Sequence, residues 1–287
     1  GGPTFSRIVQ GFGSSIRWGK SCREVLEHVL AGVELGVTTL DIAAIYGGGQ
    51  AETLLGDALA LDPTLRERVQ IVTKCGIGTW GTSLYHCDSS AKHILWSVDQ
   101  SLAKLKTDRV DVLLIHRPDP LMNADEVAEA FEQLRQSGKV LHFGVSNFTV
   151  SQFKLLASRL SFALVTNEIE ISAMHLHAWA DGTLDLCQEL RISPMAWGPL
   201  GGGHLFTDKT EQADRLRKEL EQIGQALGAT IDQVALAWLL KHPAGIVPIL
   251  GTGKAERVQS AVQAESLELS REQWFRIWVA STGKRLP

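Results

Sequence analysis

Apolar positions along the chain follow two rhythms that replace one another in turn. Short β-branched runs cover residues 7–12, 37–40, 69–74, 110–116, 140–146, 162–168, 191–197 and 246–250, and each reads as a strand. Between them, apolar residues recur at helical spacing. Val25, Leu26, Val29 and Val33 form the first stripe, with Gly36 as its stop. Leu54, Ala58 and Leu61 form the next, before Asp62-Pro63. Ile94, Val98, Leu102 and Leu105 follow, then Val127, Phe131 and Leu134 ahead of Gly138, then Phe153, Leu156 and Leu160. Leu216, Leu220, Ile223 and Leu227 mark a later helix, residues 234–240 another, and Val258 and Val262 the last of the repeat. After Ser270, Trp274 and Trp278 stand four apart, which predicts an added helix on the outside.

Eight strands separated by helices predict a closed parallel (β/α)8 TIM barrel, with residues 1–287 forming a single domain. An open doubly wound sheet is the rival. It is disfavoured because no Gly-x-Gly-x-x-Gly follows the first strand and opens a helix.

Composition bounds the function without naming it. Hydrophobic residues make up 44% of the chain, enough for a large core, and the net charge of -4 offers no basic field for nucleic acid or an anionic membrane. Any anion site must be local. Cys22, Cys75, Cys87 and Cys187 are widely spaced and read as reduced thiols rather than a disulfide framework. No apolar run approaches the roughly 20 residues that span a bilayer, and the start shows no secretory pattern. A soluble cytoplasmic chain, monomeric or weakly self-associating, is expected.

A barrel presents the carboxyl ends of its strands on one face, so polar residues there converge. Those ends carry Asp41 and Tyr46, then Lys74, His116, Ser146 with Asn147, Asn167 with Glu168, Trp197, and finally Gly251, Thr252, Gly253 and Lys254. Singly, each has an ordinary explanation: Asp41 can cap a turn, Tyr46 can bury its ring, His116 can pack. Jointly they point to proton transfer, because the one lysine that ends a strand neighbours the Asp and the His in strand order. A free tyrosine titrates near about 10, and a nearby ammonium favours its phenolate. The glycines from Gly47 to Gly49 are expected to leave room above Tyr46 for substrate.

The chain resembles the aldo-keto reductases. The resemblance rests on Asp41 with Tyr46, Lys74, Ile115-His116, the segment 138–148 (GKVLHFGVSNF), Pro199-Leu200-Gly201-Gly202-Gly203, and the segment 248–257, so it covers nearly the whole chain. It implies NADPH-dependent reduction of an aldehyde or ketone carbonyl without a metal, with NADH as the alternative cofactor. Tyr46 would be the acid, with Asp41, Lys74 and His116 as its partners. Trp197 would stack on the nicotinamide, and Ser146, Asn147 and Glu168 would bond its carboxamide. The family usually has Gln where Glu168 stands. Gly198, Pro199, Leu200, Gly201, Gly202 and Gly203 would pass under the pyrophosphate. Leu250, Gly251, Thr252, Gly253, Lys254 and Arg257 would hold the adenosine phosphate, with Ala261 where an adenine-binding Asn is common.

Two other readings compete. His175-Leu176-His177 could place two imidazoles on one face for zinc, but no accompanying carboxylate pattern supports it. An NADP(H)-binding regulatory or sensor subunit with weak reductase activity is the other. Substrate choice should lie in the loops at residues 16–18, 80–86, 174–179 and 204–206.

Overall fold

The computed structural model describes residues 2–78 and 84–285. Eight parallel strands close into a barrel. We number them β1 (Val9–Gly11), β2 (Thr39–Asp41), β3 (Gln70–Cys75), β4 (Val110–Ile115), β5 (Val140–Ser146), β6 (Asn167–Glu170), β7 (Met195–Trp197) and β8 (Val247–Leu250). Each pairs with its sequence neighbours, and β8 closes on β1 through Val9↔Ile249. The predicted (β/α)8 architecture is the one observed.

Alternation along the strands separates two cores. Val9, Val72, Val112, Leu114, Met195, Val247 and Ile249 fill the barrel interior. Leu40, Ile71, Leu113, Ile115, Phe143 and Val145 face outward into a core shared with the helices. Side chains two residues apart share a face. Lys74 therefore follows Val72 inward, His116 follows Leu114, and Trp197 follows Met195. This parity turns one rim of the apolar interior into a polar layer.

Strand edges differ from the pattern-based expectation. The second strand runs one residue further, taking Asp41 into the ladder opposite Val72 and Gly11. Lys74 neutralises the Asp41 side chain, so the charge does not end the strand. The sixth strand begins at Asn167 rather than at residue 162. Phe162 instead packs against Phe143 at 5.2 Å and lies under the Arg135 guanidinium at 4.8 Å.

The outer helices form where the stripes predict. Capping boxes at Ser21, Thr149 and Ser270 start three of them, each satisfying otherwise unpaired N–H groups and contributing about 1 kcal/mol. The helices His177–Ala180 and Thr183–Leu190 lie where periodicity names none. The helix Arg271–Thr282 covers the outside as expected and packs against Glu211–Leu227. Trp274 stacks on Trp238 at 5.0 Å, and each indole N–H donates to the other's carbonyl, at 3.0 and 3.1 Å. Among the described residues, no single helix is long and apolar enough to cross a membrane.

Candidate active site

The polar rim opens into a cavity of about 430 Å³ lined by Gly13, Ile45, Tyr46, Gly47, Ile77, Tyr85, His116, Arg117, Ser146, Asn147, Glu168 and Trp197. A larger open depression of about 540 Å³ lies on the outer helices around Gly224–Ile231, and no strand residue lines it. We assign the chemistry to the smaller cavity because the titratable groups converge there.

Lys74 sits at its base with its side chain fully buried. Its Nζ donates to Asp41 Oδ1 at 2.5 Å and to the Ile42 carbonyl at 3.1 Å. Glu168 Oε2 lies 3.1 Å from the same nitrogen. Burial works against the ammonium, but Asp41 and Glu168 outweigh it and hold the Lys74 pKa above the usual lysine range. Nζ lies 5.4 Å from the centre of the Tyr46 ring. The His116 ring meets that ring edge-on, 5.6 Å between centroids.

The sequence places Tyr46 beside an ammonium that should lower its pKa. The structure gives the opposite net result. Burial and the charges of Asp41 and Glu168 outweigh Lys74, and the Tyr46 hydroxyl is pushed up to about 12. The site therefore holds Tyr46 as a neutral phenol. His116 is neutral as well: burial, then Lys74 and Arg117, press its pKa down to about 3.

Glu168 is the largest departure from expectation. It is expected among the carboxamide contacts, yet its carboxyl joins the Lys74 cluster. Register explains this. Glu168 pairs with Ser146 on β5 and Met195 on β7, and Met195 is an interior residue. Ser146 and Asn147 are already engaged. Ser146 Oγ donates to the Glu168 carbonyl at 2.9 Å, and Asn147 Nδ2 donates to Ser146 Oγ at 2.8 Å and to the His116 carbonyl at 3.2 Å.

The glycine segments lie outside the cavity wall, on the loops leaving β7 and β8 at the same end of the barrel. Gly198, Gly201, Gly202 and Gly203 all take positive φ, from 62° to 98°. Pro199 is buried and Leu200 packs toward the outer core. On the other loop, Leu250 is buried, while Lys254 and Arg257 are exposed. Thr252 Oγ1 accepts from the Lys254 N–H at 3.2 Å. Sequence reasoning missed the strap over this loop. Trp18 donates to Ser14 Oγ at 3.0 Å, and Ser14 Oγ donates to the Gly251 carbonyl at 3.1 Å. Gly253 lets the Trp18 ring approach to where a Cβ would stand 2.6 Å from it. Ala261 faces the apolar core with Val258 and Leu250, not a ligand.

Of the expected substrate walls, Tyr85 lines the cavity. Trp80 lies outside the described residues. Residues 16–18, 174–179 and 204–206 supply no wall, whereas Gly13, Ile45, Ile77 and Arg117 do. Gly47 also lines the cavity, but the space left by its missing Cβ is taken by Ile16, 2.7 Å from where that atom would be. His175 and His177 stand 6.3 Å apart, the first facing Glu170 and the second Asp181. Among the described residues, no cluster of three or more His, Cys, Asp or Glu is placed to hold a metal.

A family model described as the Aldo/keto reductase family matches residues 10–280. The chain belongs to the aldo-keto reductase family. Oxidoreductase YdhF of Escherichia coli is 52% identical over 290 aligned residues, spanning 100% of this chain and 97% of that protein. A 6-dehydroglucose reductase of Agrobacterium fabrum is 44% identical over 290 residues, spanning 98% of this chain and 96% of its own. Among solved structures, an aldo/keto reductase from Klebsiella pneumoniae in complex with NADP and acetate superposes with a TM-score of 0.78 at 26% identity, covering 95% of this chain and 90% of that one. Family membership makes this aldo-keto reductase a nicotinamide-dependent oxidoreductase.

Proposed function

We propose that this aldo-keto reductase reduces an aldehyde or ketone of a small molecule to the alcohol with NADPH, and that Tyr46 delivers the proton. The observation that carries this reading is the buried Asp41–Lys74 pair beneath Tyr46, with His116 edge-on to the same ring.

The residues present fit the cofactor. Trp197 offers a ring face at the cavity wall, beside the Asn147 amide. Gly202 and Gly203 take positive φ, and a Cβ at Gly203 would meet nothing within 4 Å, so phosphate oxygens can approach the main chain closely there. Lys254 and Arg257 are exposed cations at the start of the helix Ala255–Gln263, suited to a 2′-phosphate. NADH is the alternative donor.

Bound NADPH supplies a hydride to the carbonyl carbon. The protein's own groups manage the oxygen and the proton. His116, neutral at working pH, donates a hydrogen bond to the carbonyl oxygen and stabilises the negative charge that grows there. Tyr46 gives its phenolic proton to that oxygen, completing the alcohol. The phenolate left behind faces Lys74, whose ammonium Asp41 fixes in place.

The test follows loss of NADPH over a panel of aldehydes and ketones, with NADH in parallel. The panel includes 6-dehydroglucose, since two relatives are named for reducing it. Wild-type turnover is expected, with a loss of roughly 10²–10⁴-fold in Tyr46→Phe while NADPH binding persists. Unchanged turnover in Tyr46→Phe would remove Tyr46 from the mechanism. Tight NADPH binding with no turnover of any carbonyl would favour the sensor reading.

A further inference from the structure

Lys74 carries one positive charge and meets two carboxyl groups. Its Nζ lies 2.5 Å from Asp41 Oδ1 and 3.1 Å from Glu168 Oε2, and the three side chains are 0%, 4% and 3% exposed. Two carboxylates on one ammonium would leave a net negative charge away from water, which burial penalises steeply.

Among the described residues, no second cation pairs with either carboxyl. From β2 and the turn after it come Asp41 and the neutral phenol Tyr46. From the end of β4 comes neutral His116. The partners of Glu168 across the ladder, Ser146 on β5 and Met195 on β7, are uncharged. Glu170, two residues along β6, adds another acid, and Arg117 lies at the exposed rim over Trp197, 5.8 Å from its ring. The Asp41 and Glu168 carboxyls are within hydrogen-bonding reach of each other, the arrangement in which two acids share one proton.

We propose that Glu168 is a proton-holding positioning residue: it stands as a neutral acid donating its O–H to Asp41 over the Lys74 ammonium, and releasing that proton to solvent disfavours carbonyl reduction. The proposal rests on the reductase reading above. Burial, with the Asp41 charge behind it, pushes the Glu168 carboxyl up to about 8. The Glu168 charge is one of those that hold the Tyr46 hydroxyl up, so it acts only once Glu168 is ionised, and it then makes Tyr46 a poorer donor. The same negative charge beside the cavity favours the cationic, oxidised nicotinamide. A glutamine at this position has no proton to release.

Infrared spectroscopy of the free protein reads the proton directly, without cofactor or substrate. Wild type at neutral pH should show a carboxylic-acid C=O band that Glu168→Gln lacks and that fades as pH rises through about 8. Glu52, a buried acid bonded by Thr73 at 2.8 Å, contributes equally to both spectra. Superimposable wild-type and variant spectra would overturn the proposal. Should the variant fail to fold, a wild-type acid band that keeps its full intensity through that range would do the same. In turnover, the wild-type reduction rate should fall toward tenfold per pH unit above about 8, and the fall should be absent in Glu168→Gln. NADP+ should bind more tightly to wild type as pH rises, and at constant strength to the variant. A chain that reduces no carbonyl would fail the functional reading, yet leave the infrared result to decide the protonation of Glu168.

Discussion

Trp197 donates its indole N–H to Asn147 Oδ1 across 2.9 Å, tying the end of β7 to the turn that leaves β5. Asn147 holds φ at +61°, a left-handed conformation that its short amide tolerates better than most side chains. With Nδ2 bonded to the His116 carbonyl and to Ser146, one side chain joins three strand ends at the cavity wall. Asn147→Ala removes these bonds and leaves a Cβ in the left-handed region. We expect it to lose about 3 kcal/mol of stability in chemical denaturation. Asn147→Gly, which accepts that φ, should lose less, and the difference measures the backbone contribution.

Removing the lysine should expose how the acids depend on it. Lys74→Met leaves Asp41 and Glu168 buried without a cation, and about 3–5 kcal/mol of stability should go at neutral pH. Both carboxyls then bind protons more readily in the folded state than in the unfolded one. Stability of the variant should therefore recover as pH falls. Thermal melts of wild type and variant across acidic and neutral pH check the sign.

His116 makes the opposite contribution. Its folded value of about 3 lies below the ordinary value of 6.5, so the unfolded chain binds the extra proton between them. That stability is present above about 6.5 and drains as pH falls toward about 3, at up to about 1.4 kcal/mol per pH unit. His116→Phe should flatten this part of the profile in denaturation experiments run across the same range.

The C-terminal helix offers a test far from the cavity. Trp274→Ala removes a ring stacked on Trp238 and Trp278 and an N–H bond to the Trp238 carbonyl. A loss of about 3–5 kcal/mol is expected, against roughly 1 kcal/mol beyond the packing change for the lost hydrogen bond in Trp274→Phe. Denaturant midpoints should separate the two.

Much of the fold is legible in the chain because burial imposes period. Residues 140–146 match β5 end to end, since the buried Val140, Phe143 and Val145 follow directly on the turn that Gly138 makes at positive φ. The helix Thr183–Leu190 is harder to read, because so short a helix presents only a few buried positions, such as Leu184 and Cys187. Asp41, Tyr46, Lys74 and His116 are legible as candidates because strand order brings consecutive strand ends together. The role of Glu168 is not, since a residue expected to share the carboxamide with Ser146 and Asn147 carries no sign that its carboxyl reaches across the barrel to Lys74. Nor is Trp18 over Gly253, a contact between loops more than two hundred residues apart in sequence.

The sequence by itself determined the barrel, the family and the residue types at its rim, because alternation and strand order are local properties of the chain. The tertiary structure alone decided the charge state of those residues. Lys74 meets Asp41 and Glu168 only after β3 is placed inside a closed ring with β2 and β6. Exclusion of water from that ring is what keeps Tyr46 a phenol and His116 neutral, and desolvation is a property of the assembled core that no stretch of sequence possesses.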